Sequence, residues 1–295
     1  MFDFIRRKIQ GTNIVDPQEA ENEYDKGFMY ANGIGVTQND REAVKWFRKA
    51  SDKGHTQALF NLGRMSFDGA GVAQSDAEAL KYYRKAAELG DGIAQLFLAK
   101  LYTNGAALVP RDSNQAMKWY QAAANSGQVL AQYELGLIYG DGTGTFQDDK
   151  EAYKWFRLAA EQGHADAQCK TAYFCGGGDN LPEGEKAIEA ARWFRMAAEQ
   201  GNADAQYRLG NWYLEGRGVQ KDENEALRWL LPLAENGLFA AQLVVSVIYL
   251  GKKDKPKEQF KWLLTVAKKG HIPSQKLLDI TLPGEFDWTT KSSSK

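Results

Sequence analysis

The sequence predicts an all-α protein built as a stack of helical hairpins. An aromatic residue recurs as Trp46, Tyr82, Trp119, Trp155, Trp193, Trp229 and Trp262, at spacings of 36, 37, 36, 38, 36 and 33 residues. Eight residues after each stands a glycine: Gly54, Gly90, Gly127, Gly163, Gly201, Gly237 and Gly270. A period of this length marks repeated supersecondary units, each of which buries its apolar face only by stacking on its neighbours.

The marker aromatic lies in the second helix of each unit, helix B. Ala43, Ala79, Ala116, Ala152, Ala190 and Ala226 stand three residues before it, and Ala50, Ala86, Ala123, Ala159 and Ala197 four after. Those offsets share one helical face, where small residues admit a neighbouring helix and the aromatic fills the space between. The glycine then takes the left-handed conformation that closes the helix. Asp40, Asp76, Ser113 and Asp149 are the expected N-caps.

Helix A precedes helix B, as in "AQYELGLIY" (Ala131 to Tyr139) and "AQYRLGNWY" (Ala205 to Tyr213). It has two small columns, the second being Gly27, Gly63, Ala99, Gly136, Ala172, Gly210 and Ser246. A mid-helix glycine costs about 1 kcal/mol against alanine, so its recurrence implies a contact too close for a side chain. Asp16-Pro17-Gln18-Glu19 supplies a cap, an N1 proline and a carboxylate to open the first helix. The turns between A and B, "NGIGVTQND", "DGAGVAQSD" and "EGRGVQKDE", are glycine-rich but lack the strand and Gly-Lys-Ser/Thr of a phosphate loop. The pattern is broken in places. Ser66 and Cys175 replace the closing aromatic of helix A, and the third and fifth units carry unusual turns, "GAALVPRDS" and "GGGDNLPEGEK". Pro232 stands inside a B helix, where a kink is expected.

The unit A-x4-G-x2-Y, then G-x-G-V, then A-x2-W-[FY]-x-[KR]-A-A-x2-G resembles the Sel-one-like repeat family, relatives of the tetratricopeptide repeats. The resemblance covers roughly residues 21–280. It implies a right-handed α-solenoid of about seven repeats of 36–38 residues, closed by a helix near Pro273 to Ile280, and a role in protein–protein assembly. Residues 1–15 are expected to form a short N-terminal cap with Phe2, Ile5 and Ile9 on one face, residues 16–280 the solenoid, and residues 281–295 a loose tail.

Little in the sequence suggests chemistry. A net charge of -1 argues against nucleic acid as a partner. No apolar run approaches a membrane span. Two cysteines, Cys169 and Cys175, are too few for a disulfide scaffold, and the chain reads as cytoplasmic. His55, His164 and His271 each follow a cap glycine at least two repeats apart, too far for a shared metal. The terminal "SSSK" matches S-x-x-K but lacks the rigid helix and partner motifs that chemistry needs. Asp141, Asp148 and Asp149 lack the spacing of a calcium loop. No cofactor or catalytic residue is expected.

A binding face can be placed by helical geometry. With the first alanine of helix A as zero, offsets -1, 2, 6 and 9 form a stripe apart from the inter-helix core. By resemblance to tetratricopeptide proteins this stripe lines a concave groove holding Tyr24, Phe28, Phe60, Arg64, Leu96, Lys100, Tyr133, Leu137, Tyr173, Tyr207 and Asn211. Aromatics mixed with a few charges are the composition of interface hot spots. Arg64 and Lys100 are basic at one end, and Asp166 and Asp204 acidic further along, so an extended segment with oppositely charged ends would suit it. Tyr133, Tyr207 and Phe60 have a second reading as inter-repeat core. The resemblance implies a scaffold or adaptor. The alternative is an immunity protein neutralising a toxin or secretion-system effector. An enzyme of unknown chemistry is the third reading.

Overall fold

The computed structural model describes residues 16–106, 108–143, 145–175, 184–252, 254–281 and 285. The expected N-terminal cap, most of the fifth-repeat turn and nearly all of the tail lie outside the described residues. Among the described residues there are fifteen α-helices and no strand, only an isolated bridge between Ala106 and Val109.

The chain divides into two compact units, the first ending at Asp148 and the second beginning at Asp149. The first holds α1 (Pro17–Asn32), α2 (Asp40–Asp52), α3 (Thr56–Asp68), α4 (Asp76–Glu88), α5 (Gly92–Asn104), α6 (Ser113–Asn125) and α7 (Val129–Asp141). The second holds α8 (Asp149–Glu161), α9 (Ala165–Phe174), α10 (Gly184–Glu199), α11 (Ala203–Glu215), α12 (Glu223–Glu235), α13 (Phe239–Gly251), α14 (Pro256–Lys268) and α15 (Ile272–Thr281). Within each unit every helix packs on the next in sequence, the arrangement of a solenoid of hairpins. The closing helix α15 buries Leu278 against Leu263 and Ala267.

The two kinds of glycine have different causes. The seven cap glycines have φ between +83° and +95° and open space where a side chain would go, so conformation alone selects them. The mid-helix glycines are steric. A Cβ on Gly27 would stand 2.6 Å from Phe47, on Gly63 2.7 Å from Tyr83, and on Gly210 2.6 Å from Leu230. The wedge is therefore the residue after the marker, not the marker itself. Phe47, Tyr83, Phe194 and Leu230 are buried, while Tyr82 is half-buried and packs on the clusters of both flanking repeats.

The caps of helix B fall one residue earlier than expected. Asn39, Ser75 and Asp112 accept from Glu42, Glu78 and Gln115 backbone N–H groups at 3.2, 3.3 and 3.0 Å, and Asp222 does the same for α12. Asp40, Asp76, Ser113 and Asp149 are instead the first helical residues. Asp16 caps α1 as expected, accepting from Gln18 N–H. Helix α12 runs through Pro232 to Glu235, so the lost donor does not end it.

A glutamine column ties successive repeats together. Gln95, Gln132, Gln168, Gln206, Gln242 and Gln275 each donate Nε2 to the carbonyl eight residues back, in the last turn of the preceding B helix, at 2.8–3.2 Å. These carbonyls lie where helix ends leave acceptors short of partners. Gln168→Ala is expected to cost about 1–2 kcal/mol in urea unfolding, because the bond lies in a buried seam. The exposed Gln57→Ala should stay within about 0.5 kcal/mol. Equal losses would mean that the column does not hold the seam.

Candidate functional site

In the first unit the expected stripe separates into a packed wall and an exposed edge. Tyr24 and Phe60 are half-buried. Tyr24 stacks on His55 with centroids 4.4 Å apart, and Phe60 lies 5.3 Å from the Tyr83 ring. Both pack on the buried clusters, so the inter-repeat reading applies to Phe60. Leu96, Tyr133 and Leu137 are half-buried too. The exposed edge is Phe28, 44% exposed, with Arg64 and Lys100 at the same offset on the next two A helices. Ile93 and Leu130, at offset -1, add exposed apolar surface that sequence reasoning left unnamed.

Arg64 and Lys100 differ in one respect from four of the cations on the B helices. Every helix B carries a basic residue just before its marker, among them Lys45, Lys81, Lys154 and Arg228. These four pair with Glu42, Glu78, Glu151 and Glu225 on the preceding turn of the same helix. Such pairs are solvated and contribute little. Among the described residues, neither Arg64 nor Lys100 has an ion pair or hydrogen bond.

In the second unit the stripe is already engaged. Tyr173 donates to Asp204 Oδ2 at 2.8 Å, and the Arg208 guanidinium lies over the Tyr173 ring and 3.7 Å from Asp204. Asp166 accepts from Asn202 Nδ2 at 2.7 Å. Tyr207 packs on the core, and Asn211 donates to the Tyr207 carbonyl of its own helix at 2.8 Å. The expected acidic end is thus occupied by neighbours within the unit.

The reactive groups are arranged for stability. His55 and His164 are helix caps, their Nδ1 atoms accepting from Ala58 and Ala167 N–H at 3.2 Å. Asp91 and Asn202 fill the same position in other repeats. Cys169 and Cys175 are free and buried, Cys175 just past the end of α9. Burial, with Asp204 nearby, pushes the Cys169 thiol up to about 12. Burial and Glu189 push Cys175 up to about 11. Glu189 also accepts from Tyr153 Oη and Trp193 Nε1, at 3.3 and 3.5 Å. Among the described residues there is no cluster of three or more metal-ligating side chains, and no helix is long and apolar enough to cross a membrane.

Because the thiolate is the nucleophile, both cysteines should be alkylated by iodoacetamide at pH 8 at least about 100-fold more slowly than in the urea-unfolded chain. The linkage has a definite sign. The folded state holds these protons above the ordinary thiol value of 9.0, so stability should fall as pH rises from about 9 toward 12. Alkylation at the unfolded rate would contradict this placement.

An array of helical hairpins, each helix packed on the next within its unit, defines a helical-repeat protein. The chain belongs to the Sel1 repeat family: residues 24–55, 56–91, 92–128, 129–164, 165–202 and 203–238 each match the Sel1 repeat. Proteins of this family are protein-interaction scaffolds, typically non-catalytic. The seventh hairpin, α13 with α14, and α15 lie beyond the matched residues. Among solved structures, the chain is 32% identical to c5321, a protective antigen present in uropathogenic Escherichia coli strains and displaying an SLR fold. That match covers 89% of this chain but 64% of the other, with a TM-score of 0.56. A Sel1 repeat protein from Oxalobacter formigenes is 35% identical over 74% of this chain and 87% of its own, TM-score 0.56. Immunity protein Pa5087 from Pseudomonas aeruginosa is 20% identical over 72% of this chain and 80% of its own. Its TM-score of 0.38 is too low to bear on function. Curated proteins offer no match.

Proposed function

We propose that the chain is a non-catalytic scaffold that binds a protein segment along the A-helix face of its first unit. The observation that carries this reading is the pair Arg64 and Lys100. Both are exposed and lack an ion pair or hydrogen bond among the described residues, and both stand in register on successive A helices. Phe28, Ile93 and Leu130 provide exposed apolar surface on the same stripe. Guanidinium and ammonium groups left free beside apolar surface suit an acidic segment carrying apolar side chains. This narrows the sequence expectation of a partner charged oppositely at its two ends, since Asp166 and Asp204 are satisfied internally.

The test is affinity capture of a partner with the full chain, its identification by mass spectrometry, and measurement of its affinity for an Arg64→Ala/Lys100→Ala variant. Loss of binding with an unchanged melting curve supports the reading, and undiminished binding overturns it. The identity of the captured protein separates an adaptor from an immunity role: a toxin or secretion effector would indicate the second.

A further inference from the structure

The turn of the third repeat breaks a seam that other repeats close with glycine. In "DGAGV" the second glycine, Gly71, lies against the first residue of the preceding B helix. A Cβ there would stand 2.4 Å from the Asp40 carbonyl oxygen. Gly218 meets Ala187, six residues before its marker just as Asp40 is, in the same way at 2.1 Å. Backbone touches backbone and no space remains. The third turn, "NGAALVPRDS", has no second glycine and is one residue longer. It folds on itself instead, Ala106 and Val109 exchanging backbone hydrogen bonds at 2.8 and 3.0 Å.

The seam therefore stands open over Asp76, the counterpart of Asp40. A pocket of about 80 Å³ remains, walled by Leu80, Tyr83, Phe97, Leu101, Leu108 and Val109. Its mouth is apolar as well: Phe67 is 52% exposed, Leu108 54% and Phe97 37%. At 10–15 Å³ for each water-sized atom, the space holds roughly five to eight atoms, room for the four carbons of a leucine or isoleucine side chain. Asp76 lines the pocket. Asp68 follows Phe67 and acts electrostatically on Tyr83, which Arg64 opposes. Both carboxylates are exposed, and neither has an ion pair among the described residues. Arg111 of the same turn is engaged, its Nε donating to the Asn104 carbonyl at 2.8 Å.

We propose that this opened seam is a second docking site, which takes one leucine or isoleucine side chain of a partner protein segment that carries lysine or arginine beside it. The volume admits the side chain, the apolar walls favour its chemistry, and the acidic rim sets its neighbour. The site differs in chemistry from the Arg64–Lys100 edge, which favours acidic segments, so the two would grip different parts of a partner.

The experiment is a titration of the full chain, with its methyl groups labelled for NMR, by the acetylated and amidated peptide Ala-Lys-Leu-Arg-Ala. Saturable shifts are expected at Leu80, Leu101, Leu108 and Val109. Replacing the peptide's leucine by alanine should weaken binding about tenfold, as expected for lost apolar burial. Replacing its two bases by glutamate should weaken it at least about fivefold. The Leu108→Asp variant should lose the shifts while melting normally, because Leu108 is more exposed than buried. The Arg64→Ala/Lys100→Ala variant should keep them, so failure here and failure of the scaffold reading are separable. Absence of saturable shifts, equal binding by the glutamate peptide, or filling of the pocket by indole but not by the peptide would each overturn the proposal.

Discussion

Replacing Gly63 with leucine is expected to destabilise the chain by about 3 kcal/mol or more in urea unfolding, far more than any change at a cap glycine. A Cβ at this position already stands 2.7 Å from Tyr83 Cε1 and 2.9 Å from Cδ1. Tyr83 is only 6% exposed and packs in the cluster with Leu59, Ala79 and Leu98, so it retreats only by breaking that packing and closing the pocket it walls. Overpacking of this kind costs 1–3 kcal/mol, occasionally more, and leucine adds three carbons beyond the atom that already clashes. Gly63→Ala is the milder case. A gain of about 1 kcal/mol in helix propensity offsets part of the clash. The third repeat shows that alanine can be housed there when the spacing changes, since Ala99 and Tyr120 are both buried across a turn one residue longer. Gly54 provides the contrast. Its φ is +83° and its side-chain space is open, so alanine and leucine should cost the same there, about 1–2 kcal/mol for the left-handed backbone. The measurement is thus a size dependence, steep at Gly63 and flat at Gly54. Losses independent of size at both positions would show that the mid-helix column is not steric.

The glycine contrast also shows what the sequence could reveal. Period, helix order, cap glycines and the Asp16-Pro17 start were legible because each depends on residues close together in one repeat. Three features were not. The pairs Asn39-Asp40, Ser75-Asp76 and Asp112-Ser113 each offer two adjacent residues able to cap, and in the first two only the glutamate three residues on, Glu42 or Glu78, marks the earlier one. The glutamine of "AQ" looks like any polar surface residue until its partner, eight residues back across a turn, is placed beside it. His55 and His164 look like candidate ligands by type, yet they do the same work as Asp91 and Asn202 at the start of helix A. The candidate site suffered most. Helical geometry put Tyr173, Tyr207, Asn211, Asp166 and Asp204 on the stripe, but it could not show that hydrogen bonds and packing within the second unit already use them.

That selection sharpens the functional experiment. Changing Arg64 and Lys100 to alanine together should leave stability within about 0.5 kcal/mol per site, since both side chains are exposed and neither holds an ion pair or hydrogen bond among the described residues. Asn211 is left out because its amide bonds to its own helix. If the two cations meet carboxylates of a partner, their loss should weaken binding by about 2 kcal/mol or more, roughly thirtyfold. The affinity of the parent chain should also fall as salt rises, because exposed charge pairs are screened over about 8–10 Å at physiological ionic strength. Lys45→Ala and Lys154→Ala are the matched controls: equally basic, exposed, but paired with Glu42 and Glu151 on the B helices. They should leave affinity unchanged. A double variant at Arg64 and Lys100 that binds as tightly as the parent, with a salt-independent affinity, would remove the A-helix edge as the binding face. Loss of binding in the Lys45 and Lys154 controls instead would move that face to the B helices.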